Sequence, residues 1–190
     1  MHAPGSRFPA RWRRVGDVAR QARRTPVWTV VALLTLLVTG CGSSPPVWEG
    51  AAPAPDDVAT LNELVVLVNE ARAEGRACGS RGWFDAAPAL RSESRLMGVA
   101  QAHSEDQRAR GAMSHQGSDG SGPSERVSDA GYAWRAVGEN VARGYPSAAS
   151  VMGGWLGSPG HCANLMNPAF EDLGVGLAGG YWTQVFAAPR

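Results

Sequence analysis

The stretch "LGVGLAGGYWTQVFA", residues 173–187, decides the fold. Two short alternating runs flank Gly179-Gly180, which is the pattern of a β-hairpin. Alternation puts Tyr181 and Trp182 on opposite faces of one strand and gives Gln184 the face of Trp182. Upstream the period changes. "LNELVVLVNEARAEG" spaces Leu61, Leu64, Val65, Val68 and Ala71 at helical intervals, with Gly75 as a stop. A second helix is expected over 90–110, with Leu96, Val99, Ala100 and His103 in one stripe and Gly111 at its end. "MSHQGSDGSGP" reads as a loop with a turn at Asp119-Gly120. Pro123 opens a short helix through Ala130, closed by Gly131. "AVGENVARGY" has no helical period and reads as irregular or strand-like. Ser147 caps a third long helix carrying Ala148, Val151, Met152 and Trp155 on one face. Ser158 before Pro159 signs another helix start, with His161 in its first turn. There the backbone N–H groups are expected to lower the pKa of a nearby histidine. Helices come first and strands mostly last, which implies an α+β domain with an antiparallel sheet packed by helices.

The 190 residues carry a net charge of only +1, badly distributed. Residues 1–40 hold seven Arg and one Asp; residues 41–190 hold eleven Arg and sixteen acids. The basic head runs into "VWTVVALLTLLV", too short as a helix for a hydrocarbon core of about 30 Å. Basic, then briefly apolar, then small residues is the layout of a secretory signal. It ends in "LVTGC", which resembles the lipobox of bacterial lipoproteins; the resemblance implies a lipidated Cys41, a signal peptide over 1–40 and a membrane anchor. The Pro-, Ser- and Ala-rich 41–57 reads as a tether, leaving 58–190 as the folded domain. With Cys41 assigned to lipid, Cys78 and Cys162 remain, and two cysteines in an exported domain are expected to pair. Cys162 would then pin the segment that carries His161. The net-negative folded part, with scattered Arg, argues against nucleic acid as a partner.

In order along the chain stand "LVNEAR", "AQAHSEDQ", "MSH", "DGSGPSERV", "AGY", "GENVA", "GWLGSPGHCANLMNP", "DLGVGLA" and "GYWTQVF". Together they resemble a bacterial member of the CAP superfamily, the cysteine-rich secretory, antigen-5 and pathogenesis-related (SCP-like) proteins. The resemblance covers about residues 60–187. It implies an α-β-α sandwich with a central antiparallel sheet and a large cleft, which in the eukaryotic branch holds two His and two Glu able to bind a divalent cation. His115 and Glu139 match two of those four positions. Ser158 stands where the second Glu is expected, and Tyr181 where the last His is. The Ser158–His161 segment is common in bacterial relatives, and its His161 is the candidate replacement for the lost histidine.

Three groups, His115, Glu139 and His161, are thus the candidate cleft, with Ser158 and Tyr181 beside them. Two imidazoles and a carboxylate suit a catalytic zinc ion that keeps a place for water. Without metal they suit a hydrogen-bonded network, or a polar groove that binds without turnover. The candidate cofactor is a divalent cation such as Zn. No nucleophile stands out: Ser114 and Ser158 lack a G-x-S-x-G context. Glu125 reads as a surface acid, and His103 as a packed core histidine outside the site. The resulting expectation is an exported, lipid-anchored protein of the cell envelope, facing the periplasm or exterior, whose cleft binds a small-molecule, lipid, glycan or peptide ligand. The alternatives are a metal-assisted or acid–base hydrolase of an envelope component, and a structural envelope protein with a vestigial cleft.

Overall fold

The structure is a computed structural model and describes residues 55–190. The signal peptide, the lipobox with Cys41 and nearly all of the expected tether lie outside the described residues. Helix α1 spans Pro55–Arg72, so helix begins three residues before the expected boundary at 58. A two-stranded ribbon, β1 (Arg76–Ala77) with β2 (Trp83–Phe84), follows. Then come β3 (Arg91–Ser92), α2 (Ser94–Arg110), α3 (Pro123–Asp129), β4 (Trp134–Arg143), α4 (Ala148–Gly157), α5 (Pro159–Met166), β5 (Asp172–Ala178) and β6 (Tyr181–Pro189).

The main sheet has the order β3-β5-β6-β4. β5 and β6 form the expected hairpin, turning at Gly179 and Gly180, both at positive φ. "AVGENVARGY" lies largely within β4, antiparallel to β6 along its length and on the open edge of the sheet. The sheet departs from the expectation in one respect: β3 runs parallel to β5. It takes the residues assigned to the start of the second helix, which begins only at Ser94. There the Glu93 side chain caps the N–H of Leu96.

Helices cover both faces. Leu61, Leu64 and Val68 of α1, Val151 and Trp155 of α4 and Leu165 of α5 pack on Leu173, Val175, Trp182 and Phe186. On the other face Leu96, Val99 and Ala100 of α2 and Val127 of α3 pack on Val185 and Ala187. The alternation in "DLGVGLA" has a specific cause. Gly174 and Gly176 face α2, and a Cβ on either would collide with the helix backbone at Leu96 or Ala100. The strand thus offers apolar side chains to one layer and bare backbone to the other, which lets α2 lie directly on the sheet.

Three polar ties account for other motifs. Asn69 of "LVNEAR" reads the backbone of Leu90 in both directions, at 2.8 and 3.1 Å. Arg72, fully buried, donates to the carbonyls of Pro88, Leu165, Asn167 and Phe170. Burial lowers its pKa to about 10. Tyr132 of "AGY" donates to Asp172 at 2.6 Å, and Arg91 holds the other oxygen of Asp172 at 2.9 Å. Cys78 and Cys162 are paired, 84 residues apart. The bond fastens α5 to the turn after β1 and contributes roughly 4–5 kcal/mol by restricting the unfolded chain. Among the described residues no helix is long and apolar enough to cross a membrane.

Candidate functional site

The site grows from the alternation of β4. Glu139 and Asn140 are successive residues of a strand and point to opposite faces. Asn140 faces α5: it donates to the carbonyl of His161 and to Gln184 Oε1, and accepts from Asn164. Gln184 reaches it because it shares the face of Trp182, as the alternation predicts. Asn164 also donates to the carbonyl of Glu139, so α5 is tied to β4 by side-chain amides.

Glu139 faces α2 and α3. Its side chain is 1% exposed, a costly position for a carboxylate without partners. Oε1 accepts from His115 Nδ1 at 2.8 Å, and Oε2 from Arg126 at 2.6 Å. Arg126 also donates to the carbonyls of His115 and Ser121. One guanidinium therefore neutralises the carboxylate and clamps the loop that presents the histidine. His103 Nε2 lies 3.8 Å from Glu139 Oε1 and bonds the carbonyl of Ser114 at 2.8 Å.

The three imidazoles sit in different fields. His115 is 57% exposed along its side chain, and its bond to Glu139 raises its pKa. His103 is buried, and burial lowers its pKa. His161 is half-buried in the first turn of α5. Its pKa is also lowered, first by burial and then by the charge of His115. The direction is the expected one, with burial as its first cause. The His115 contribution puts the two rings within electrostatic reach, although His115 belongs to the α2–α3 side and His161 to α5.

His115 and Glu139 thus meet, while the His161 ring is bonded to neither and its backbone carbonyl accepts from Asn140. Ser158 occupies the N-cap of α5, yet its side chain makes no capping bond. Tyr181 is buried under Arg143, whose guanidinium lies 4.8 Å from the ring centre. It pairs with Arg143, whereas Glu139 pairs with Val185, so Tyr181 is four register positions along the strand, about 13 Å away. Glu125 is exposed, as expected, and its carboxylate accepts from the N–H of Gly122 at 2.6 Å.

Two residues of the network were not legible as such. His103 is packed as expected, but it lies against the site rather than outside it. Arg126 has a detectable signal: it falls on the inward stripe of α3 with Val127 and Ala130, where an unpartnered Arg would be costly.

The residues present do not suit a divalent cation. Both Glu139 oxygens are engaged, one by a permanent guanidinium charge that a cation would have to displace. Among the described residues no three His, Cys, Asp or Glu side chains are grouped to hold a metal.

A profile of the "Cysteine-rich secretory protein family", CAP, matches residues 67–186. The uncharacterized protein YkwD of Bacillus subtilis is 32% identical over 99 residues, covering 51% of this chain and 38% of YkwD. The uncharacterized membrane protein YlbC of the same organism is 34% identical over 88 residues, covering 46% of this chain and 25% of YlbC. The chain thus spans well under half the length of these relatives. An extracellular SCP-domain protein of Bacillus anthracis superposes with a TM-score of 0.62 at 26% identity, covering 73% of this chain and 45% of that one. An outer surface protein of Borrelia burgdorferi shares the fold, with a TM-score of 0.55 at 17% identity, covering 71% of this chain and 93% of that one.

Proposed function

The chain belongs to the cysteine-rich secretory protein (CAP) family, and from that premise we propose that it is an exported, lipid-anchored envelope protein whose β4 edge binds a ligand without turning it over. Export is supported by the signal-like head, by the disulfide, and by relatives described as extracellular, membrane or outer-surface proteins. Anchoring rests on the lipobox at Cys41. The observation that carries the binding reading is the state of Glu139. Buried, neutralised by Arg126 and bonded to His115, it is spent on holding an exposed imidazole in place. That imidazole presents Nε2, an acceptor in the neutral ring and a donor in the imidazolium, to a lipid, glycan or peptide, and exposed Met113 two residues away offers apolar contact.

The test has two arms. Metabolic labelling with palmitate should mark the full chain and put it in the membrane fraction; Cys41→Ala should abolish both. Lipid, glycan and peptide fractions of the envelope, titrated against isotope-labelled protein, should shift the resonances of His115 and His161 together. Shifts confined to other faces would overturn the cleft reading.

One observation favours acid–base hydrolysis as a second reading. Two imidazoles within electrostatic reach have pKa values displaced in opposite directions, His115 up and His161 down. Such a split is how an acid and a base are assigned at one site. No serine hydroxyl is bonded to either ring among the described residues, so water would be the nucleophile. Product release from an envelope fraction, lost in both His115→Ala and His161→Ala, would establish this reading over simple binding.

A further inference from the structure

β4 is an edge strand of the main sheet, and its ladder leaves a row of main-chain groups turned outward. In an antiparallel pair the N–H and C=O of one residue point to the same side, and successive residues alternate. Gly144, one step past the Arg143–Tyr181 pair, donates its N–H to the carbonyl of Gly180 at 2.9 Å. The main-chain groups of the even-numbered residues of β4 therefore face β6, and those of Val137, Glu139 and Val141 face away. Two carbonyls bear this out. That of Glu139 accepts from Asn164 at 3.1 Å, and that of Val141 from the Trp155 indole at 3.3 Å. Among the described residues no acceptor meets the N–H of Val137, Glu139 or Val141. The edge is thus a row of donors in which only the carbonyl of Val137 stays open beside them.

Solvent reaches this row. Glu139 is 6% exposed as a whole residue but 1% exposed along its side chain, so its accessible part is main chain. Val137 is half-buried. The three N–H groups recur at every second residue, about 6.8 Å apart. An extended peptide repeats its carbonyls at that same interval, which is how a strand is added to a sheet edge. An acyl chain has no acceptors, and the hydroxyls of a glycan follow no such repeat.

The charge of the strand selects among peptides. Its one acid, Glu139, is neutralised by Arg126. Arg135 is met by Glu171 at 2.8 Å. Arg143 is exposed and, among the described residues, meets the carbonyl of Gly111 and the ring of Tyr181 but no acid. A second copy of the strand is a poor occupant, because a two-fold axis at Glu139 would set Arg135 of each copy against Arg143 of the other.

We propose that β4 takes up an extended acidic peptide as a further strand of the sheet. The peptide pairs with the N–H groups of Val137, Glu139 and Val141 and the carbonyl of Val137, and places a carboxylate at the Arg143 end. This names the ligand of the β4 edge and rests on the reading of that edge as a binding site.

The probe is a synthetic seven-residue peptide of alternating valine and glutamate, blocked at both ends, added to the ¹⁵N-labelled full chain. It should shift the amide resonances of Val137, Glu139 and Val141 saturably and slow their hydrogen exchange at least tenfold. Two forms of the peptide, N-methylated on one or the other alternate set of residues, separate strand pairing from mere proximity. Only one set faces β4, so one form should bind at least tenfold more weakly and the other should bind as before. Lysine in place of glutamate should also weaken binding at least tenfold. Val137→Pro removes an outward donor and keeps the ladder to β6. It should weaken binding while the His115 resonance stays in place.

Equal binding by the two methylated forms, or a response of His115 without the three amides, would overturn strand pairing and leave the β4 edge standing as a binding site. A lysine peptide that binds as well as the glutamate peptide would overturn the acidic partner. Protection of the three amides without peptide, growing with protein concentration, would overturn the proposal in favour of a second copy. No response to the peptide would overturn it as well, and the titration with envelope fractions then decides the edge reading on its own.

Discussion

Two guanidinium groups are sunk into this domain, and they do different things. Arg72 is wholly buried and meets only backbone carbonyls, four of them, at the junction of α1, α5 and the loops on either side. Arg126 is 12% exposed along its side chain and meets a carboxylate, which in turn holds an imidazole that is 57% exposed. The first is a splint: its charge is used up in satisfying carbonyls that packing has cut off from water. The second is part of a relay that ends at the surface. Buried charge alone therefore does not mark a site; the connection to a solvent-facing titratable group does.

The largest expected effect strikes both regions at once, because α5 serves both. Arg72 takes the carbonyls of Leu165 and Asn167 from its end, and Asn164 takes the carbonyl of Glu139. Replacing Cys78 and Cys162 by Ala should cost roughly 4–5 kcal/mol in urea unfolding. It should also increase hydrogen exchange along α5 more than along α2. Equal loosening of the two helices would mean that α5 is not the shared support.

Next in size is Arg72→Met, which separates the regions. Leaving several carbonyls buried and unsatisfied should cost about 3 kcal/mol or more. The His115 and His103 resonances should nonetheless stay where they are. If they move, the two guanidinium networks are coupled and the contrast between splint and relay fails.

The smallest effect is confined to the relay and depends on pH. Glu139 raises the folded-state pKa of His115, so this histidine contributes stability that is complete below its unfolded pKa of about 6.5. That contribution disappears as pH rises through the higher folded value. His103 and His161 have lowered values and work in the opposite sense, stabilising above about 6.5 and losing that contribution on acidification. His115→Gln should therefore leave stability above pH ~8 nearly unchanged and steepen its loss between about pH 7 and 5. Denaturation midpoints across that range read the difference. Parallel profiles for the variant and the parent would detach His115 from Glu139.

Several elements were legible because short-range chemistry writes them directly. Gly179-Gly180 between alternating runs marked the hairpin, Gly111 ended α2, and Pro123 and Pro159 opened their helices. The start of α2 was not legible, because Arg91 and Ser92 become strand only when β5 lies beside them. "AVGENVARGY" was ambiguous for a related reason. Its polar residues look irregular until Glu139 and Asn140 are seen to serve two different helix layers. In the candidate site, His115 and Glu139 meet as expected. Tyr181 does not join them, because pairing opposite Arg143 carries it along the strand. His103 was correctly read as packed, and its polar neighbour was hidden because Glu139 lies 36 positions further along the chain.

The amino-acid order alone settled the family resemblance, the hairpin, and the helix boundaries marked by Gly111, Pro123 and Pro159. Those follow from turn geometry, capping and periodicity, all of which act over a few residues. The tertiary structure alone decided that Arg126 neutralises Glu139 and that His103 backs it. It also decided that Asn164 and Asn140 tie α5 to β4. Each of these depends on which residues of separate elements end within about 3–4 Å of one another, and close packing sets such distances only when the whole chain has folded.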